Sequence, residues 1–534
     1  MRIIPKIAII PVPVSLVSSP GKFVLTENTL IYSKEDLLNL SGYLRNLIYP
    51  ATSFELKVKS LDDKTTRKNS INLILVENKN QLGVEGYDLE ITPTMITISS
   101  KKPVGIFYGI QTLRQLLPPE IESKNVIKDI EWYIPCMKVK DYPRFSWRGY
   151  MLDEARHFHG KEVVKRLLDL IASLKLNVFH WHLTDDQGWR IEIKKYPKLI
   201  DVGSKRNETQ IGGRLSKKRD RIPHSGYYSQ EDIREIIDYA KNQFITIIPE
   251  IDIPGHTRAV LASYPNLSCK GYPFKVSTHW GFHKDVLCVG NEEVFEFIQN
   301  ILKELVDLFP SNIIHIGGDE VLKERWKECP ECQKVLETED LKDEKHLQTY
   351  FTNRISEFLN LNGQKVICWN DALDENLKQK IICQYWLRGK KKVLEHIKKG
   401  GDVIMSNFKY TYLDHSYSFT PLKLAYKFEP IPKKLEKKYH EHVLGLEAPM
   451  WGEYTPNIKR LEWQTFPRLI AFSEIGWSPK IKRNFKSFYN RLNQFLKRFN
   501  IIGVNYADLQ EVKPNIFKRI FKVFTLVTEE KGGT

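Results

Sequence analysis

Residues 312–321 read NIIHIGGDEV, an isoleucine-rich run through His315 and two glycines that ends in adjacent acids, Asp319 and Glu320. Neighbouring carboxylates repel, and where they are partly buried one of them resists ionising. One can then donate a proton while the other orients or stabilises something cationic. Two neighbours on one strand end cannot easily flank opposite faces of a sugar ring. They therefore do not read as the acid and nucleophile of a two-carboxylate glycosidase, whose carboxyls stand about 5–5.5 Å apart for retention. A nucleophile has to come from elsewhere, the substrate included. Other apolar runs also end in chemistry-bearing residues: Arg156 and His157, Asp185 and Asp186, Asp252 and His256, Trp369 and Asp371, Trp386, Trp451 and Glu453. Such a set suits a carbohydrate, because rings stack on sugar C–H faces while carboxylates and guanidinium groups bind hydroxyls.

Three other features carry weaker signals. His180 and His182 are two apart on one strand and share a face, a spacing that can bind metal, but structural roles rank above it. His315 reads as a packed, hydrogen-bonded histidine. Cys329 and Cys332 form the single CxxC of the chain, CPEC. Without a second pair this reads as a loop turn, with zinc the minority alternative.

These residues need a scaffold that gathers strand ends. From about residue 147, eight apolar runs alternate with helical stretches. They are RGYMLDEARHF, LNVFHWHLTDD, ITIIPEIDIPGH, NIIHIGGDE, KVICWND, IICQYW, DVIMSN and VLGLEAPMWGE. Among the helices, SQEDIREIIDYAKNQ opens with a capping-box arrangement of Ser229 and Asp232, and Asn291 is an N-cap followed by acids. The alternation predicts an α/β protein with a (β/α)8 TIM barrel over 145–485, whose strand ends converge on one mouth. Residues 1–140 predict a small N-terminal α+β domain, strands followed by one helix, PVGIFYGIQTLRQLLPP. Residues 486–534 predict a helical tail packing on the barrel, its last stretch a strand or a helix.

Composition sets the outer limits. The chain has 534 residues, enough for a barrel plus a smaller domain. Its net charge is +16, but Lys and Arg are spread along it in helical patterns and form no nucleic-acid motif. No apolar run of about 18 residues predicts a membrane span. Seven cysteines do not make a disulfide scaffold. The apolar start carries Pro5, Pro11 and Pro13 and no clean cleavage site, which favours a cytoplasmic protein over a secreted one.

Six motifs in order, LDEARHF, HWHLTDDQGWR, PEIDIPGH, HIGGDE, TYLDH and EAPMWGEY, resemble the family-twenty glycoside hydrolases, the β-N-acetylhexosaminidases. The resemblance spans nearly the whole chain, since residues 86–118 look like the family's accessory domain. It implies an exo-acting enzyme that removes terminal β-linked GlcNAc or GalNAc with retention, using the sugar's own 2-acetamido oxygen as nucleophile. Glu320 matches the acid/base and Asp319 the residue that holds the acetamido N–H. Tyr412 would bind the acetamido oxygen, and Asp185 and His256 would form a relay behind Glu320. Trp369, Trp386 and Trp451 would wall the acetyl pocket, with the barrel core as the rival reading for Trp369 and Trp386. Arg156, Asp414 and Glu453 would bind sugar hydroxyls. It implies no cofactor, no metal, no nucleic acid or membrane partner, and a carbohydrate ending in N-acetylhexosamine as substrate; a homodimer stays open. The chain departs from the family pattern with CWND at 368–371, where GWDE is expected, and with Glu154, where a small or apolar residue is expected. Rival readings are a disaccharide-releasing variant, a non-catalytic sugar-binding barrel, and a metal-dependent hydrolase using His180, His182 and His256.

Overall fold

The structure, a computed structural model, describes residues 7–61, 68–77, 80–213 and 216–513. The strand or helix expected at the end of the tail lies outside the described residues.

The N-terminal region builds a seven-stranded mixed sheet in the order Ser15–Val24, Tyr133–Asp141, Tyr87–Ile91, Met95–Ser100, Ser70–Leu75, Leu30–Ser33, Val58–Ser60. The expected helix is present as Pro103–Leu116, with Pro103 in its first turn, where a missing N–H costs nothing. A second helix, Leu38–Thr52, interrupts the strands and was not expected. Pro50 near its end hid it, although Leu40, Leu44, Ile48 and Ala51 bury one face at helical spacing.

All eight apolar runs become strands of one closed barrel, in sequence order. They are Trp147–Asp153, Val178–His182, Thr246–Glu250, Ile313–His315, Lys365–Trp369, Ile381–Tyr385, Val403–Met405 and Val443–Met450. The last pairs parallel with the first and closes the ring. Helices between them start where the sequence indicates. Ser229 Oγ accepts from the Asp232 amide at 3.1 Å while Asp232 accepts from the Ser229 amide at 3.2 Å. Asn291 accepts from the Glu293 amide at 2.9 Å.

The tail helix, Phe485–Ile502, does more than pack on the barrel. Its Arg491 pairs with Glu474 of the barrel at 2.6 Å, while Arg498 donates to the Gln115 carbonyl at 2.8 Å and to Glu122 at 3.2 Å in the N-terminal region. The helix thus locks the two together. CPEC is not a loop turn either: Cys329 caps the helix Pro330–Thr338, and Cys332 lies in its first turn.

The barrel interior is unusually polar for a packed core. Glu250 accepts from Trp369 Nε1 at 2.8 Å and lies 2.8 Å from His315 Nδ1, 2.5 Å from His182 Nδ1 and 3.0 Å from His180 Nε2. The other nitrogen of His180 lies 2.8 Å from Glu447, which also accepts from Gln384 at 2.7 Å and Trp147 at 3.0 Å. His180 and His182 therefore share a face, as their spacing requires, but that face meets carboxylates. Burial opposes charge on both carboxyls, yet the facing histidines hold Glu250 well below the usual carboxylate range and lower Glu447 too. Removing one partner of such a network strands the rest without compensation. Glu250→Leu is expected to destabilise the fold by ~3–5 kcal/mol, measured by urea unfolding; a loss near zero would mean that the histidines stay neutral without it.

Candidate active site

The fourth strand ends at His315, and the chain then turns through Gly317 and Gly318, both at positive φ, to present Asp319 and Glu320. A Cβ on Gly317 would sit 1.8 Å from Asp252 Oδ1, so only glycine lets the two strand ends approach. Glu320 itself has φ +49° and His256 φ +52°, a left-handed conformation that is uncommon for non-glycine residues. The cause is divergence: Asp319 points inward and is buried, whereas the Glu320 side chain is 34% exposed at the mouth. Adjacency in sequence thus becomes two different environments.

Behind the pair stands His256. Its Nδ1 lies 3.1 Å from Asp185 and 3.3 Å from Asp186, and its Nε2 lies 3.7 Å from Glu320 and 3.9 Å from Asp319. Burial disfavours the imidazolium, but Asp185 and Asp252 outweigh it and raise the His256 pKa well above its ordinary value. Asp185 also meets Arg156 at 2.8 Å and His182 at 3.0 Å. Arg156 is fixed further by Asp153 at 3.0 Å and by Gln187 at 3.0 Å.

The walls are aromatic. Trp369, Trp451, Tyr412 and Trp386 follow one another in an arc with centroid separations of 5.9, 6.4 and 6.2 Å. Arg156 lies 5.0 Å above the Trp451 ring. Trp369 packs beside Trp451 at one end of this arc. It is 1% exposed, one side reaching the arc and its N–H tied to Glu250. Trp386 is held at its amide by Asn370 at 2.8 Å and at Nε1 by Asp371 at 2.6 Å. The CWND departure therefore supplies the clamp for the next wall. Asp319 Oδ1, Asp414 Oδ1, Asp252 Oδ2 and His256 Nε2 are all buried without a hydrogen-bond partner among the described residues. Buried polar atoms are ordinarily paired, so four orphans around one aromatic arc mark a place built for a polar ligand.

Comparison with known proteins agrees with this geometry. Residues 145–480 match "Glycosyl hydrolase family 20, catalytic domain" and residues 6–142 match "Glycosyl hydrolase family 20, domain 2". The chain belongs to glycoside hydrolase family 20. It is 39% identical over 513 residues to a beta-hexosaminidase of Porphyromonas gingivalis, covering 94% of this chain but 64% of that relative's length. It is 35% identical to a beta-hexosaminidase of Akkermansia muciniphila, covering 81% of this chain and 88% of the relative. A Streptomyces plicatus N-acetyl-beta-hexosaminidase solved with Thio-NAglucal superposes with a TM-score of 0.81 at 31% identity, covering 94% of this chain and 97% of that one.

As a family-20 chain, it shows which residues its sequence left unmarked. Glu250 stands two before the already marked Asp252 in PEIDIPGH, on the alternation that would have pointed it inward as well. Gln187 and Asp153 support Arg156 and carry no signal of their own. Glu154 faces away from the site: its carboxylate accepts from the His159 amide at 2.8 Å, and burial pushes its pKa up to about 8.

The electrostatics set apart the two acids at the fourth strand's end. Burial above all, with Glu320 and Asp371 adding to it and His256 opposing, pushes Asp319 up to about 7. Its charged form is lost as pH falls through that value. Asp371→Asn keeps an acceptor for Trp386 and removes one of the charges that raise Asp319. The acid limb of kcat/KM is expected to move to lower pH in that variant; a limb that stays put or moves up would mean that another group controls it.

Proposed function

We propose that this chain is an exo-acting β-N-acetylhexosaminidase that releases terminal β-linked GlcNAc or GalNAc with retention, by substrate-assisted catalysis. Family 20 is one of the groups that depart from the two-carboxylate scheme in this way. The observation that carries the reading is the buried, unpartnered Asp319 Oδ1 beside a mouth-exposed Glu320. One carboxylate keeps its Oδ1 free inside an aromatic pocket, and its neighbour is kept where a leaving group departs.

In this reading the acetyl group enters the arc of Trp369, Trp386, Trp451 and Tyr412. Burial holds the Tyr412 phenol well above its ordinary pKa, so it stays an O–H donor for the acetamido oxygen. Asp319 accepts the acetamido N–H and turns that oxygen toward C1. As the oxygen attacks, the C1–O bond to the leaving group breaks and Glu320 gives its proton to the departing oxygen. The oxazolinium ion that forms is cationic, and the Asp319 carboxylate, preorganised and dry, stabilises it. Glu320 then takes a proton from water, which attacks C1 and reopens the ring. His256, between Asp185 and Glu320, adjusts the proton affinity of Glu320. Arg156, Asp414 and Glu453 bind the hydroxyls that define the terminal sugar. Burial raises Asp414 well above the usual carboxylate range, with the Glu453 charge adding to it.

The test is hydrolysis of p-nitrophenyl β-GlcNAc, β-GalNAc and β-glucoside in parallel, with a thiazoline mimic of the oxazolinium ion as inhibitor. Turnover confined to the N-acetyl sugars and blocked by the mimic is the expected outcome. Efficient cleavage of the glucoside would sink the substrate-assisted reading, because that sugar carries no internal nucleophile.

A further inference from the structure

The catalytic reading leaves one cluster unused. Cys269, Cys288, Cys329 and Cys332 converge, with all four sulfurs within 4.8 Å of one another. Cys269 lies 3.8 Å from Cys332, Cys288 lies 3.6 Å from Cys332, and Cys288 lies 3.6 Å from Cys329. Three of the four are buried and Cys269 is half-buried. We propose that these four cysteines hold a structural zinc ion as a closed tetrathiolate site.

The geometry fits the ion. Tetrahedral zinc with Zn–S bonds of about 2.3 Å sets its sulfurs about 3.8 Å apart. The cluster already has that spacing, and no pair within it is privileged. Cys288 has two sulfur neighbours at the same distance, and Cys332 also has two. A disulfide would single out one pair at about 2.0 Å and leave the others without a role. The backbone is shaped to the cluster as well. The Gly290 amide donates to Cys332 Sγ, and a Cβ on Gly290 would stand 2.2 Å from the backbone of Glu331. Only glycine allows that approach, which supplies the N–H···S contact that thiolate ligands accept. Binding releases the thiol protons to solvent and leaves four thiolates on the metal, with no position open for substrate or water.

The site has a mechanical consequence. Cys269 and Cys288 bracket a loop that follows the third strand, downstream of His256 and the helix Arg258–Ser263. Cys329 and Cys332 follow the fourth strand, which presents Asp319 and Glu320. The bracketed loop supports the mouth: its Ser277 amide donates to the Asp186 carbonyl at 3.0 Å, and its His279 carbonyl accepts from Gln187, the partner of Arg156, at 2.8 Å. Asp285 in the same loop pairs with Arg325 at 2.7 Å, and Trp326 Nε1 donates to the Leu287 carbonyl at 2.9 Å. Zinc would staple the two loops from behind, away from the chemistry.

The test is metal analysis of the full chain, purified without chelators. About one zinc per chain is expected, released to a chromogenic chelator on titration with p-hydroxymercuribenzoate. Chelation is expected to lower the Tm, and Cys329→Ser with Cys332→Ser to abolish stoichiometric zinc. Should that variant fail to fold, wild-type chain produced in cobalt-supplemented medium still decides, by the charge-transfer and d–d bands of tetrahedral cobalt thiolate. Metal-free protein with free thiols and a Tm indifferent to chelator would overturn the proposal. So would a Cys269–Cys288 disulfide found by peptide mass spectrometry.

Discussion

Glu320→Gln is expected to lower kcat on substrates with poor, sugar-like leaving groups by about 10²–10⁴-fold. The substitution keeps shape and polarity and removes the transferable proton. Because the side chain is one-third exposed at the mouth and the positive φ is unchanged by the swap, folding and product binding should survive. The loss should shrink on aryl glycosides whose leaving groups need little protonation. That dependence on leaving-group pKa is the diagnostic, since a merely damaged pocket would slow all substrates alike. Near-wild-type rates on a poor leaving group would assign the proton to another residue.

Asp319→Asn should cost kcat about 10²–10³-fold, with little dependence on the leaving group, because what is lost is stabilisation of the cationic ring rather than protonation. The same change is expected to leave stability equal or higher at neutral pH. Its carboxyl is raised from 3.8 to about 7, chiefly by burial. A raised acid binds its proton more tightly folded than unfolded, so ionising it weighs against folding as pH rises above 3.8, in full above about 7. An amide carries no such cost. Activity falling while Tm holds or rises would show a site strained for function. A Tm falling with activity would make Asp319 a structural residue.

The barrel was legible because each of its strands is a short apolar run ending in polar residues and followed by helix signals. Alternation of that kind survives without tertiary context. The tail's second contact surface was not legible, since nothing local marks Arg491 and Arg498 apart from the chain's other spread-out cations until Glu474 and Glu122 face them. Glu154 read as a departure of unknown direction. Its sequence neighbours gave no hint that it turns away from the mouth and into contact with the His159 amide. CPEC misled for a related reason: a cluster drawn from two distant segments shows only half of its cysteines as a local pattern, and Cys269 and Cys288 lie too far apart to read as a pair.

By itself, the sequence determined the fold class, the order of the strands and the family. The fold class and strand order follow from periodicity, and the family from the resemblance carried by six short motifs, all of them local properties. The tertiary structure alone decided how two adjacent acids come to differ, one buried and free at Oδ1, the other exposed. It also decided that three histidines converge on Glu250, that Asn370 clamps Trp386, and that four distant cysteines meet. Burial, orientation and charge partners depend on atoms brought from other strands, and no window of sequence contains them.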